Sequence, residues 1–311
     1  MSTATSIERG IDFLNQHVIT DEVLEEYDIA DESKELRPAS DFSALLEEAF
    51  DAKGVKGDRL PWAKADDFRF KSSELTVWSG YSGDKKSMVL GQVCVGLLAQ
   101  QKKVCIASFE MKPIQTLRRM YCQYAGTNVL EPEAKKRFFG IAEKLWMYQQ
   151  VRSVKAENLL KIIRYSKRVL GVDHFVIDSL MRCGIAGTDF DKQKWFVDEL
   201  VTVALDEGIH IHLVAHQKKP ENGDQRPGTK YGIAGSGDIS NLAHNVINVF
   251  ENRDDNRAYD NLLTVQKQRN YDGESNPEPM FKFVFDSKSL QFCDQGTMRP
   301  SDWGVFGGCP K

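Results

Sequence analysis

The stretch SGYSGDKKSMVLG, Ser79 to Gly91, places glycines, a hydroxyl and two adjacent lysines in a fixed order between an apolar run and an amphipathic one. Gly80, Lys86 and Ser87 keep the spacing G-x-x-x-x-G-K-[ST], with Ser82 and Gly83 inside the loop and Lys85 standing at the second glycine position. Residues of these types bind phosphates. The N–H groups of a glycine-rich turn and of the next helix converge on the anion, the lysine adds a point charge, and the hydroxyl holds Mg²⁺. The implied ligand is ATP or another NTP, with Mg²⁺. Lys85 puts a side chain where the backbone approaches phosphate closely, a cost of about 1–3 kcal/mol. Weak binding and slow turnover are therefore expected of this chain.

A phosphate loop alone does no hydrolysis, so carboxylates are required near it. HFVID ends its apolar run in Asp178, a candidate second ligand for Mg²⁺ beside Ser87; a strand-end aspartate can otherwise cap the following turn. CIASFEM ends in Glu110, suited to orienting and deprotonating an attacking water. IHLVAHQ delivers His216 and Gln217; Gln217 can sense a γ-phosphate by hydrogen bonding, or merely end a strand.

These residues converge only if the runs are parallel strands whose carboxyl ends share one edge. The pattern supports this: short apolar runs alternate with longer amphipathic stretches, as in βαβ units. LTVWSG, KVCIASFE, HFVIDSL and IHIHLVAHQ read as buried strands, and LWMYQQ as a short one. KSMVLGQVCVGLLAQQ, PIQTLRRMYCQYAG, EPEAKKRFFGIAEKL, AENLLKIIRYSKRVL and DKQKWFVDELVTVALDEG read as helices. NVINVFEN, LLTVQKQRN and MFKFVFD are β-rich.

The 311 residues suffice for a large domain with appendages, and the net charge of −4 gives no global pull toward nucleic acid. Six cysteines without a C-x-x-C pair read as reduced thiols and imply no zinc site. No stretch is long and apolar enough to span a membrane, so a cytoplasmic chain is expected. Residues 1–40 hold ten Asp/Glu against three Lys/Arg and predict a peripheral acidic arm. SDFSALLEEAFDAKG follows with Phe42, Leu45, Leu46 and Phe50 at helical spacing. That stripe packs either on its own domain or on a neighbouring subunit. The expected divisions are 1–54 (arm and linker helix), 55–293 (main domain) and 294–311 (flexible tail).

The order SFEM, VIDSL, LVAHQKKP, GIAGSGDISNLAHNVINV and VQKQRN, downstream of the loop, resembles the motor domain of hexameric replicative helicases of the DnaB and phage or Twinkle-like type. The resemblance implies an α/β fold: a RecA-like P-loop NTPase core with a mainly parallel twisted sheet flanked by helices. It implies a homo-hexameric ring translocating 5′ to 3′ on single-stranded DNA, in host cytoplasm if the source is a phage. Primase, loader or polymerase would be recruited as partners. By the same resemblance Glu110 is the catalytic base, Asp178 binds Mg²⁺ and Gln217 senses phosphate. Lys267 and Arg269 of KQR act on the neighbour's nucleotide.

The segment KKPENGDQRPGTKYGIAGSGD then lines the channel, with Lys218, Lys219, Arg226, Lys230, Gly235 and Ser236 as DNA contacts and Tyr231 as its one aromatic. GIAGTDFDKQK looks similar to a second channel loop, with Lys192 and Lys194 as weaker candidates. A RecA-like recombinase or loader ATPase, and a ring component impaired by Lys85, are the alternatives.

Overall fold

A computed structural model describes residues 39–44, 46–47, 57–149, 154–218, 226–271, 276, 278–294 and 296–303. The acidic arm up to residue 38, Lys219, and the Leu45 and Phe50 positions of the amphipathic stripe lie outside them. Ala39–Phe42 form a 3₁₀ turn, and Leu46 is exposed.

β1 (Asp58–Arg59) and β2 (Arg69–Phe70) pair as a small antiparallel ribbon. The main sheet contains β3 (Leu75–Ser79), β4 (Val104–Ser108), β5 (Leu145–Met147), β6 (His174–Asp178), β7 (His210–Val214), β8 (Asn245–Glu251), β9 (Asn261–Gln268), β10 (Met280–Asp286) and β11 (Gln291–Cys293). Its order is β11-β10-β9-β8-β3-β7-β6-β4-β5. Strands β8 to β5 in that order run parallel, while β9, β10 and β11 form an antiparallel edge.

β3, β4, β6 and β7 are buried at every residue, which is why they read as unbroken apolar runs: helices cover both faces. On one face α1 (Lys86–Ala99), α2 (Pro113–Ala125) and α3 (Pro132–Ala142) close a core around Trp62, Phe70 and Trp78. On the other, α4 (Ala156–Arg168) and α5 (Phe190–Glu207) pack Leu159, Phe196 and Leu200 against Phe175 and Ile211. The short α6 (Asp238–Leu242) leads into β8. Among the described residues no helix is long and apolar enough to cross a membrane.

Two expectations change. The segment after 293 is not a loose tail through residue 303. Trp303 is 2% exposed, its indole N–H donates to the Tyr124 carbonyl at 3.0 Å, and Met298 N–H donates to Gln291 Oε1 at 2.7 Å. One buried tryptophan anchors a stretch whose Gly, Pro and Ser content suggested none. Lys192 and Lys194, read as loop residues, instead lie in the first turns of α5. The Asp189 carboxylate accepts from the Lys192 N–H at 3.0 Å, capping that helix, and Lys194 Nζ lies 3.6 Å from Asp238.

Candidate nucleotide site

β3 delivers Ser79 to the sheet edge, and the chain then turns through Gly80. A Cβ on Gly80 would stand 2.3 Å from the Val249 carbonyl oxygen, so the turn passes β8 too closely for any side chain. Asp84 holds the loop's shape: its buried carboxylate accepts from the Tyr81 N–H at 2.9 Å, and its own N–H donates to the Tyr81 carbonyl at 3.2 Å. Burial pushes the Asp84 carboxyl upward, against the Tyr81 N–H and Arg253, whose Nη2 lies 3.4 Å away.

Lys85 is the N-cap of α1 at φ 62°, ψ 25°, the left-handed conformation that the missing glycine would adopt freely. Its ammonium does not fold into the loop. It pairs with Glu251 at the end of β8 and lies 5.0 Å from the centroid of the Phe285 ring. The expected departure from glycine is therefore seen as backbone strain, while the side chain is tethered to β8 and β10.

Lys86 Nζ donates to the Gly80 and Tyr81 carbonyls at 2.9 and 2.8 Å and lies 3.4 Å from His216 Nδ1. Burial lowers its pKa, opposed by Asp84, Asp178 and Glu110. The Ser87 hydroxyl donates to Asp178, which burial raises and Glu110 raises further. Ser108 and Asp178 are register partners, and Phe109 N–H donates to the Asp178 carbonyl at 2.8 Å, so Glu110 follows at the same edge. Ser179 Oγ donates to Glu110 Oε1 at 2.8 Å, and His216 Nε2 lies 3.9 Å from that oxygen. His216 first, then Ser179, hold the Glu110 carboxyl at about 2 against the opposing effect of burial.

The sheet thus brings together Lys86, Ser87, Glu110, Asp178 and His216. Gln217 is not among them: its amide donates to the Thr229 carbonyl at 2.8 Å and the side chain faces the 228–232 backbone. Successive residues leaving a strand point opposite ways, so if His216 faces Lys86, Gln217 cannot. Both stood at the same strand end in the sequence, and only the facing of β7 decides between them.

The donor set fits a nucleotide with its metal. A buried carboxylate shares a hydroxyl with the first turn of a 14-residue helix, and a lysine rests on loop carbonyls. Ser87 and Asp178 would hold Mg²⁺, while Lys86 and the first-turn N–H groups would meet the phosphates.

Lys267 and Arg269 lie elsewhere. Lys267 pairs with Val246 in the register, and Arg269 N–H donates to the His244 carbonyl, level with the start of β3 and not its P-loop end. Lys267 Nζ donates to the Ser240 and Asn241 carbonyls at 2.9 and 2.7 Å, and Arg269 to Asn241 at 2.8 Å. Burial, with Arg269 and Lys230 nearby, lowers Lys267 to about 8.

Among the DNA candidates, Lys218 and Arg226 are exposed, and Lys230 is half-buried with Nζ 3.3 Å from the Gln266 carbonyl. Tyr231 is 77% exposed. Gly235 and Ser236 are not displayed with them. Ser236 is buried and its N–H donates to Gln193 Oε1 at 2.9 Å; a Cβ on Gly235 would meet that same oxygen at 2.2 Å.

A mainly parallel sheet flanked by helices, with a phosphate loop after β3 and carboxylates closing β4 and β6, defines a RecA-like P-loop fold. Solved structures with this fold include replicative-helicase ATPase domains. One of these, an ATPase domain solved by itself, superposes with a TM-score of 0.68 at 11% identity, over 83% of this chain and 98% of that one. A DnaB-like replicative helicase, determined with its interactions with primase, superposes at 0.67 and 12% identity, over 87% and 69%. No family model matches the chain. At these identities the likeness establishes the fold.

Proposed function

We propose that this chain is an NTP-hydrolysing motor that forms a homo-hexameric ring and translocates 5′ to 3′ on single-stranded DNA, as a phage-type replicative helicase does. The observation that carries this reading is the meeting of Lys86, Ser87, Asp178 and Glu110 at one sheet edge of a helicase-like fold. Bound Mg²⁺ would neutralise charge developing on the transferred phosphoryl oxygens. Lys86 binds the phosphates by exchanging its Gly80 and Tyr81 carbonyl partners for them. Glu110 orients the water and takes its proton. His216, between Lys86 and Glu110, is placed to report the γ-phosphate, the role the sequence pattern gave to Gln217.

Lys267 and Arg269 sit at the opposite end of the sheet from their own P-loop, which supports their acting on a neighbouring subunit's nucleotide. Lys218, Arg226 and Lys230, with Lys219, supply the cations that a channel needs to follow a phosphate backbone. Primase or a loader would join as a separate partner.

Lys85 in the left-handed conformation favours a second reading, a ring component with weakened nucleotide binding. Nucleotide hydrolysis with and without single-stranded DNA, together with unwinding of a forked duplex, tests both. DNA-stimulated hydrolysis with strand separation is the expected result. Pairing of homologous strands without unwinding would move the chain to the recombinase class.

A further inference from the structure

Glu110 is held by the residues that begin two separate segments. Ser179, which donates to its carboxylate at 2.8 Å, opens the stretch 180–187 between β6 and α5. His216, 3.9 Å from the same oxygen, opens the stretch that returns at 226–236. Gln193 ties these two stretches to each other. Its amide donates to the Ala186 and Gly187 carbonyls at 3.1 and 3.2 Å, and its carbonyl oxygen accepts the Ser236 N–H at 2.9 Å. A small cavity lined by Leu180, Met181, Ile185, Ala234 and Gly235 lies between them, and the exposed Met181 and Tyr231 mark their outer faces.

A carboxylate that accepts from a hydroxyl beside an imidazole is a poor proton acceptor, because both neighbours favour its anion. The resting arrangement therefore suits restraint better than catalysis. Ser179 touches Glu110 and neither the loop nor Lys86 among the described contacts, so its effect on chemistry passes through Glu110.

We propose that Ser179 is a positioning residue that keeps Glu110 from acting as a base in the resting chain. Segments 180–187 and 226–236, coupled through Gln193, withdraw that restraint when single strand binds. The inference rests on the proposed function above and adds a regulatory contact to the same site.

The test is steady-state hydrolysis by the full chain with and without poly-dT, for wild type, Ser179→Ala, Ser179→Cys and Gln193→Ala. Ser179→Ala is expected to raise DNA-independent kcat about tenfold, the scale of one hydrogen bond to a charged group, with KM for nucleotide unchanged. Ser179→Cys, a weaker donor, should fall between. Gln193→Ala, which keeps the Ser179 contact, should leave basal kcat low and reduce stimulation. If Ser179→Ala lowers or preserves basal kcat and the stimulation ratio stays at the wild-type value, Ser179 is not a restraint and this inference alone fails. Wild type without any DNA-stimulated hydrolysis would overturn the proposed function together with it.

Discussion

Strands β3, β6 and β7 carry polar residues at both ends, and the two ends are built in opposite ways. At their carboxyl ends Lys86, Ser87, Asp178, Glu110 and His216 gather charges whose mutual contacts leave demand unmet: burial raises Asp178, and Lys86 makes do with backbone carbonyls. Near the amino ends, three histidines lie buried in a network that closes on itself. Trp78 Nε1–H donates to His212 Nδ1 at 3.2 Å, His212 Nε2 lies 3.1 Å from His174 Nδ1, and His174 Nε2 lies 2.9 Å from Asp58. Indole is donor-only, so His212 is the Nε2–H tautomer and donates to His174, which donates on to Asp58. Lys102 completes the chain at 2.8 Å from Asp58. Burial pushes the Asp58 carboxyl up, and His174 with Lys102 more than reverse it. His210 is satisfied between the Thr76 hydroxyl and the Lys71 carbonyl. Three buried histidines look more like a site than two scattered carboxylates do, yet the satisfied cluster is scaffold and the unsatisfied one is where a ligand fits.

The largest expected effect joins these ends across subunits. Arg269 stands near the histidine end of its own sheet and, on the proposed reading, completes the open end of the next chain. Arg269→Ala should lower turnover by about 10³ or more with nucleotide binding nearly intact. Rings mixed from wild type and mutant should lose activity faster than the mutant fraction rises. A linear loss would place the residue's action within one subunit.

The closed cluster should respond in stability instead. His212→Ala leaves the Trp78 N–H and His174 Nδ1 without their partner and opens a cavity, a cost of about 3 kcal/mol. Urea unfolding should show that loss, while kcat per folded molecule stays at the wild-type value. A fall in kcat at unchanged stability would mean the two ends are coupled.

Acid should find the same cluster. Burial, with His174 beside it, holds His210 down at about 3, and burial also lowers His212, well below the ordinary 6.5. The unfolded chain therefore takes up protons that the folded chain refuses, and stability falls as pH drops from about 6.5 toward 3. The slope is about 1.4 kcal/mol per pH unit for each such histidine. Denaturation midpoints measured from pH 8 to pH 4 check this, and replacing His210 by Gln should flatten the slope. A midpoint that does not move over that range would show that the histidines are hydrated or paired differently.

Much of the open end was legible beforehand because its signals are local: a loop spacing, and carboxylates closing apolar runs at Glu110 and Asp178. What escaped the sequence depends on which face a residue takes after its strand ends. His216 and Gln217 are neighbours, and only the packing of β7 against β3 chooses between them. The histidines His174, His210 and His212 were hidden inside runs that read as plain buried strand, since their partners Asp58, Lys71 and Trp78 come from distant positions. Trp303 escaped for the related reason that a single long-range contact orders a segment whose composition argues against order.

The smallest effect concerns Lys85, where the open end departs from glycine. Holding a lysine at φ 62° costs about 1–2 kcal/mol relative to glycine. The ion pair with Glu251 returns about 0–1 kcal/mol, since both partners are about a fifth exposed. Strain wins by a small margin. Lys85→Gly should therefore raise nucleotide affinity about fivefold and increase hydrolysis, while Lys86→Ala in that background abolishes it. Glu251→Gln separates the two contributions: it frees the Lys85 ammonium without touching the backbone and should lower affinity slightly or leave it unchanged. If Lys85→Gly instead weakens binding, the Glu251 tether outweighs the strain, and the lysine stabilises this loop in the form that meets phosphate.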